Sequence, residues 1–100
     1  MAAAAPVMIE GTYRRDPDTK MKALTQAIRY QPFSAADCYL DEAQCRWVRL
    51  EAVRGCRKSF ANFSINDLVV TLRAHRHRHH QRAVFEIRQD SAMVYWVKPL

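Results

Sequence analysis

The stretch that decides the fold runs from Phe33 to Arg54, FSAADCYLDEAQCRWVRLEAVR. It opens on Phe33-Ser34-Ala35-Ala36-Asp37, which has the spacing of a helix capping box. Ser34 can accept from the amide of Asp37, Asp37 can reach back to the amide of Ser34, and Phe33 stands where a hydrophobic staple begins. This predicts a short helix over 34–40. Asp41, with Gln44 three residues on, offers a second cap. It predicts a longer helix over 42–54, ended by Gly55 or fused with the first into one helix. In that longer helix Cys45, Val48, Ala52 and Cys56 form one apolar stripe, and Ala43, Trp47 and Leu50 a second. Two stripes imply neighbours on two sides, leaving Arg46, Arg49 and Arg57 to face outward.

Upstream, Asp16-Pro17 is a good helix start, because proline at the first helical position loses no hydrogen bond. Met21, Leu24 and Ile28 recur at helical spacing, and Pro32 ends the pattern, so a helix is expected over 17–30. Downstream, Phe63-Ser64-Ile65-Asn66-Asp67 repeats the capping grammar. With Ile65, Leu68, Val69 and Leu72 as a core face it predicts a helix over 65–78. Residues 75–81 (HRHRHHQ) have no apolar face and must project or fray. The two FSxxD segments are spaced differently, so they read as shared capping chemistry rather than as a repeat. Residues 83–89 and 92–98, rich in β-branched and aromatic types around Asp90-Ser91, predict a hairpin. Residues 7–14, with Val7, Ile9 and Tyr13 on one parity and Gly11 as a bulge, suggest a short edge strand in a tail of residues 1–15. The expected architecture is α+β but mainly helical: three to four helices and a C-terminal β-hairpin in a single domain, 16–100.

A chain of 100 residues with 49% hydrophobic residues can bury one modest core. No run approaches the roughly 18 apolar residues of a membrane span, and the uncharged opening from Met1 to Met8 lacks the form of a signal peptide. The three cysteines, Cys38, Cys45 and Cys56, are odd in number with no CxxC pair. Reduced thiols and a cytoplasmic location are therefore expected. Net charge is +6. Residues 46–82 hold nine Lys or Arg against Glu51 and Asp67, while the other 63 residues hold seven basic and eight acidic groups. Such a local excess attracts polyanions. Arginine outnumbers lysine twelve to four, and its planar fork suits phosphates and guanine edges.

The order of helix, FSxxD cap, short helix, arginine-bearing helix and hairpin resembles winged helix-turn-helix DNA-binding domains. The matching pieces are Met21–Tyr30, Phe33–Leu40, Asp41–Arg54 and residues 83–98 as the wing. There are departures: Leu40-Asp41-Glu42 occupies the tight turn, and an extra helix at 65–78 precedes the wing. A second alignment makes 42–58 and 65–73 the first two helices and puts 74–82 in the recognition position. The resemblance implies a DNA-binding regulator of bacterial or mobile-element origin, with homodimerisation an option. Arg46 and Arg49 would reach base edges or phosphates, and Arg57, Lys58, Arg73, Arg76, Arg78 and Arg82 phosphates. DNA is favoured over RNA.

Other constellations point elsewhere. His75 and His79, four apart, could chelate a metal from one helix face, but no acidic or cysteine ligand lies nearby, so no metal and no cofactor are expected. No phosphate-cradling glycine loop, paired carboxylate or HExxH-type motif is present, and the cysteines sit at packing positions, so binding rather than catalysis is expected. Tyr13, Tyr30, Tyr39, Tyr95, Trp47 and Trp96 could stack on unpaired bases, but their positions favour packing. The rival expectation is a small protein-binding inhibitor or adaptor, such as a phage-encoded antagonist of a host nucleic-acid enzyme, docking through Trp47 and Leu50.

Overall fold

The structure, a computed structural model, describes residues 17–100, with side chains from Thr19 onward. The expected edge strand at 7–14 and the Asp16 cap lie outside the described residues. Helix α1 is Pro17–Tyr30, as its start signal and Leu24, Ala27 and Ile28 periodicity require. Strands β1 (Cys38–Leu40) and β2 (Arg46–Arg49) follow, then helix α2 (Leu50–Gly55) and a 3-10 turn (Lys58–Phe60). Helix α3 is Ile65–Ala74, and strands β3 (Phe85–Gln89) and β4 (Tyr95–Pro99) complete the chain. The strands form one antiparallel sheet in the order β1-β2-β4-β3.

The mainly helical expectation is therefore wrong. The helices expected over 34–40 and 42–54 are a turn, two strands and one short helix. Ser34 and Asp37 close a turn, with the Asp37 amide donating to the Ser34 carbonyl and the Ser34 hydroxyl to the Asp37 carboxylate. The Asp41 carboxylate takes the amides of Ala43 and Cys45, holding the chain in a tight reversal where a helix was expected to start. The two apolar stripes do not form: only Val48 and Trp47 lie on β2, Val48 pointing into the core and Trp47 to the opposite side, while Leu50 enters the core from α2. Tertiary pairing overrides the helical propensity of Glu42, Ala43 and Gln44. Only the end of that segment is helical, and Gly55 is its last helical residue, with no left-handed φ, Cys56 being the cap. The Ser64–Asp67 capping box does form and starts α3. That helix ends at Ala74, short of the expected residue 78, where its apolar face runs out after Leu72.

The expected C-terminal hairpin exists, but β4 lies inside the sheet beside β2, so the hairpin is no peripheral wing. The two hairpins are copies of one design. A shift of 49 residues takes Cys38, Tyr39 and Leu40 onto Ile87, Arg88 and Gln89, and every β1–β2 pairing onto a β3–β4 pairing. Val48 and Val97, equivalent under that shift, face each other at the centre. The turns match as well. Asp41 and Asp90 each take two amides with one carboxylate oxygen and an indole N–H with the other, Trp47 at 2.9 Å and Trp96 at 3.0 Å. Gln44 and Met93, also equivalent, carry the left-handed φ (63° and 67°) that a three-residue hairpin loop needs. The sheet thus has a pseudo-two-fold axis between β2 and β4, each half being a helix followed by a hairpin.

One sheet face meets the helices. Its core comprises Leu24, Ala27 and Ile28 of α1, Leu50 and Val53 of α2, Phe60, and Leu68, Val69 and Leu72 of α3, packed on Val48, Phe85 and Val97. The other face carries Tyr39, Trp47, Trp96, Arg49, Arg88, Lys98 and Glu86 by strand alternation. Trp47 is fully buried there beneath Arg88 and Lys98 and beside Tyr39. Among the described residues no helix is long and apolar enough to cross a membrane.

Candidate nucleic-acid interface

The eight basic residues expected to contact nucleic acid divide into two groups. Arg46 and Arg49, expected on a recognition helix, lie on β2. The Arg46 guanidinium donates to the Ile28 carbonyl at 2.7 Å and the Gln31 carbonyl at 2.8 Å, and stacks over Phe33. It satisfies carbonyls that the end of α1 leaves open, which is a structural task. Arg49 pairs with Asp37 at 2.6 Å, and that guanidinium holds the Asp37 carboxyl below its usual range despite partial burial. Arg57 lies over the Phe60 ring, and Lys58 is exposed on the 3-10 turn.

The other four lie on one stretch of chain, 73–82. Arg73 ends α3, and Arg76, Arg78 and Arg82 lie on the connector 75–84; all four are exposed. Among the described residues none of them forms an ion pair with a carboxylate. Asp67 faces the start of α3 through its capping box, and Glu86 is taken up by Arg88 and Lys98. Four cations without local compensation make a focused positive field.

The connector is ordered by its own backbone. Arg76 and Ala83 form an isolated antiparallel bridge, the His77 amide donates to the Arg82 carbonyl at 2.8 Å, and the Gln81 amide donates to the His77 carbonyl at 2.9 Å. Gln81 adopts the left-handed φ of 59° that this reversal demands. The Arg76 guanidinium donates to the carbonyls of Arg73 and His75, continuing the end of α3. His75 stacks on the buried Phe85 ring, tying the base of the connector to the core. The second alignment's recognition position, 74–82, is thus a folded loop and not a helix. His75 and His79 consequently do not share a helix face, and no group of three or more metal-ligating side chains occurs among the described residues.

A groove of about 790 Å³ separates this loop from α1. Thr19, Lys22 and Gln26 line one wall, spaced three and four residues apart on one helix face, and His75, Arg76, His77 and Arg78 line the other. Sequence reading missed the α1 wall. Its signal was the run of polar residues opposite Leu24 and Ile28, which looks like any solvated helix face. The groove is rich in donors: an ammonium, guanidinium groups, an amide and imidazoles. Charge-assisted hydrogen bonds to phosphate oxygens are what such a set does best.

Trp47 and Leu50, expected as a protein-docking pair, are both buried, on opposite sides of the sheet. The thiols are engaged locally: Cys38 donates to the carbonyls of Phe33 and Ser34, and burial pushes the Cys56 thiol up, which disfavours its reactive thiolate. No protein-family model, curated protein or solved structure matches this chain.

Proposed function

We propose that the protein binds nucleic acid through its phosphate backbone, using Arg73, the connector 75–84 and the facing wall of α1. One observation carries this reading: three of the four uncompensated guanidinium groups, those of Arg76, Arg78 and Arg82, sit on a segment that the repeated architecture does not need. Seven residues, 31–37, link α1 to Cys38 in the first half, whereas twelve, 75–86, link α3 to the equivalent Ile87 in the second. The extra length contains arginine and histidine and contributes little to the core. Exposed loops held by a rigid scaffold are where binding residues concentrate. Phosphate contacts of this kind give affinity with little sequence preference.

Fluorescence anisotropy with a short duplex DNA, titrated across salt, tests it. Four phosphate contacts predict a log–log salt slope of about −3 to −4 through counterion release. Replacing Arg73, Arg76, Arg78 and Arg82 with glutamine should abolish most of the affinity and flatten the slope. Absence of binding at low salt, or a slope unchanged in that variant, would overturn the assignment.

A further inference from the structure

Two of the four histidines of the connector do specific structural work. His77 Nδ1 accepts the His79 amide at 3.2 Å, and His80 Nδ1 accepts the Arg82 amide at 3.3 Å. An imidazole accepts at Nδ1 only when that nitrogen is unprotonated. The two rings also stack, with centroids 3.9 Å apart and planes 10° apart. Two neutral imidazoles tolerate that contact, whereas two imidazolium ions repel. We propose that the connector is a proton-gated anion site. While neutral, His77 and His80 hold the loop closed; once protonated, they release the two amides and become further phosphate donors.

This rests on the polyanion reading above and specifies its control. The groups around His77 all favour the closed, neutral form. His75, His79 and His80 surround it on the loop with Arg76, Arg78 and Arg82, and Lys22 lines the groove from α1. Desolvation and then the neighbouring imidazoles push the His77 pKa below its ordinary value. The sign follows: the folded loop binds protons less readily than an open one, so acidification opens it. A bound phosphate does the reverse, stabilising the imidazolium ions. Proton uptake and polyanion binding are therefore coupled, each strengthening the other.

Two measurements test this independently of each other. In the free protein, the amide resonances of His79 and Arg82 should move together with the His77 and His80 ring signals as pH falls from about 7.5 to 5.5. With a short duplex DNA at constant salt, affinity should rise about twentyfold over the same interval, as expected for two added phosphate contacts. The double variant H77Q/H80Q, neutral throughout, should show less than about a fivefold rise, left to His75 and His79. Amides at 79 and 82 that ignore the ring titration, or a pH response retained in the double variant, overturn the gate. Failure of duplex DNA to bind at low salt and either pH overturns the polyanion reading instead, while the resonances of the free protein still decide the gate.

Discussion

The two halves of this molecule share one hairpin design and differ in the segment that leads into it. In the first half the link from helix to strand is short, and its side chains serve the fold. Asp37 pairs with Arg49, and Arg46 reaches back to close the end of α1. In the second half the link is five residues longer, by the difference between residues 31–37 and 75–86, and among the described residues its arginines pair with no carboxylate, only Arg76 turning back to the end of α3. The equivalent acid–base pair is kept, Glu86 with Lys98 for Asp37 with Arg49. Duplication thus separates what the fold requires from what was added to it. The cations equivalent in both halves, Arg49 and Lys98, are paired with carboxylates, whereas Arg78 and Arg82 of the longer link are not.

The largest break in the equivalence concerns the tryptophans. Trp47 and Trp96 hold the same place in their hairpins, but Arg88 covers Trp47 whereas its counterpart Tyr39 meets Trp96 edge-on and leaves it half exposed. Trp47→Ala should cost about 3–5 kcal/mol by urea unfolding. Trp96→Ala should cost clearly less; equal losses would mean that the covering cation does not matter. Arg46→Ala, which uncovers the carbonyls at the end of α1, should lose about 1–2 kcal/mol without changing polyanion affinity. Arg78→Ala should do the opposite, leaving stability within about 0.5 kcal/mol.

The paired turns sharpen the comparison further. Asp41 is held low chiefly by the Cys45 amide and Asp90 chiefly by the Trp96 indole. Folded-state pKa values below the unfolded ones give stability that is complete above the ordinary carboxylate range and lost as pH falls from there through the lowered folded values. Asp41→Asn and Asp90→Asn should each flatten the acid limb of a stability–pH curve. An unchanged acid limb would remove the turns as its source. The smallest effects belong to Gln44 and Met93. Glycine at either left-handed position should change stability by at most about 1 kcal/mol, with relieved strain offset by chain entropy, and equally in both turns.

Much of this duplication stood in the sequence. Asp41-x-Ala43 with Trp47-Val48-Arg49 recurs as Asp90-x-Ala92 with Trp96-Val97-Lys98. The two FSxxD segments mask it, because the same five-residue grammar has two outcomes. Before Leu68 and Leu72 it caps a helix, since a long apolar face follows. Before Cys38 it closes a turn, since Asp41 reverses the chain three residues later. Helices α1 and α3 and the C-terminal hairpin were legible from strong periodicity. The β1–β2 hairpin was not, because three- and four-residue strands carry too little alternation to outweigh Glu, Ala and Gln in the turn. The cationic surplus was legible, and four of the eight residues named for it are exposed on the stretch 73–82. What separates Arg46 and Arg49 from them is long-range: the carbonyls of α1 and the carboxylate of Asp37 are adjacent only in space.

The most direct test removes the insertion itself. Arg76 and Ala83 already pair as neighbouring strands do, so residues 77–82 can be replaced by an Asn-Gly turn without stretching the chain. Unfolding by urea should then differ from the parent by no more than about 1 kcal/mol, while affinity for duplex DNA falls at least about tenfold and the salt slope shrinks by about two, for the loss of Arg78 and Arg82. A folded variant that keeps the parent affinity and slope would contradict the assignment of the added loop to phosphate binding.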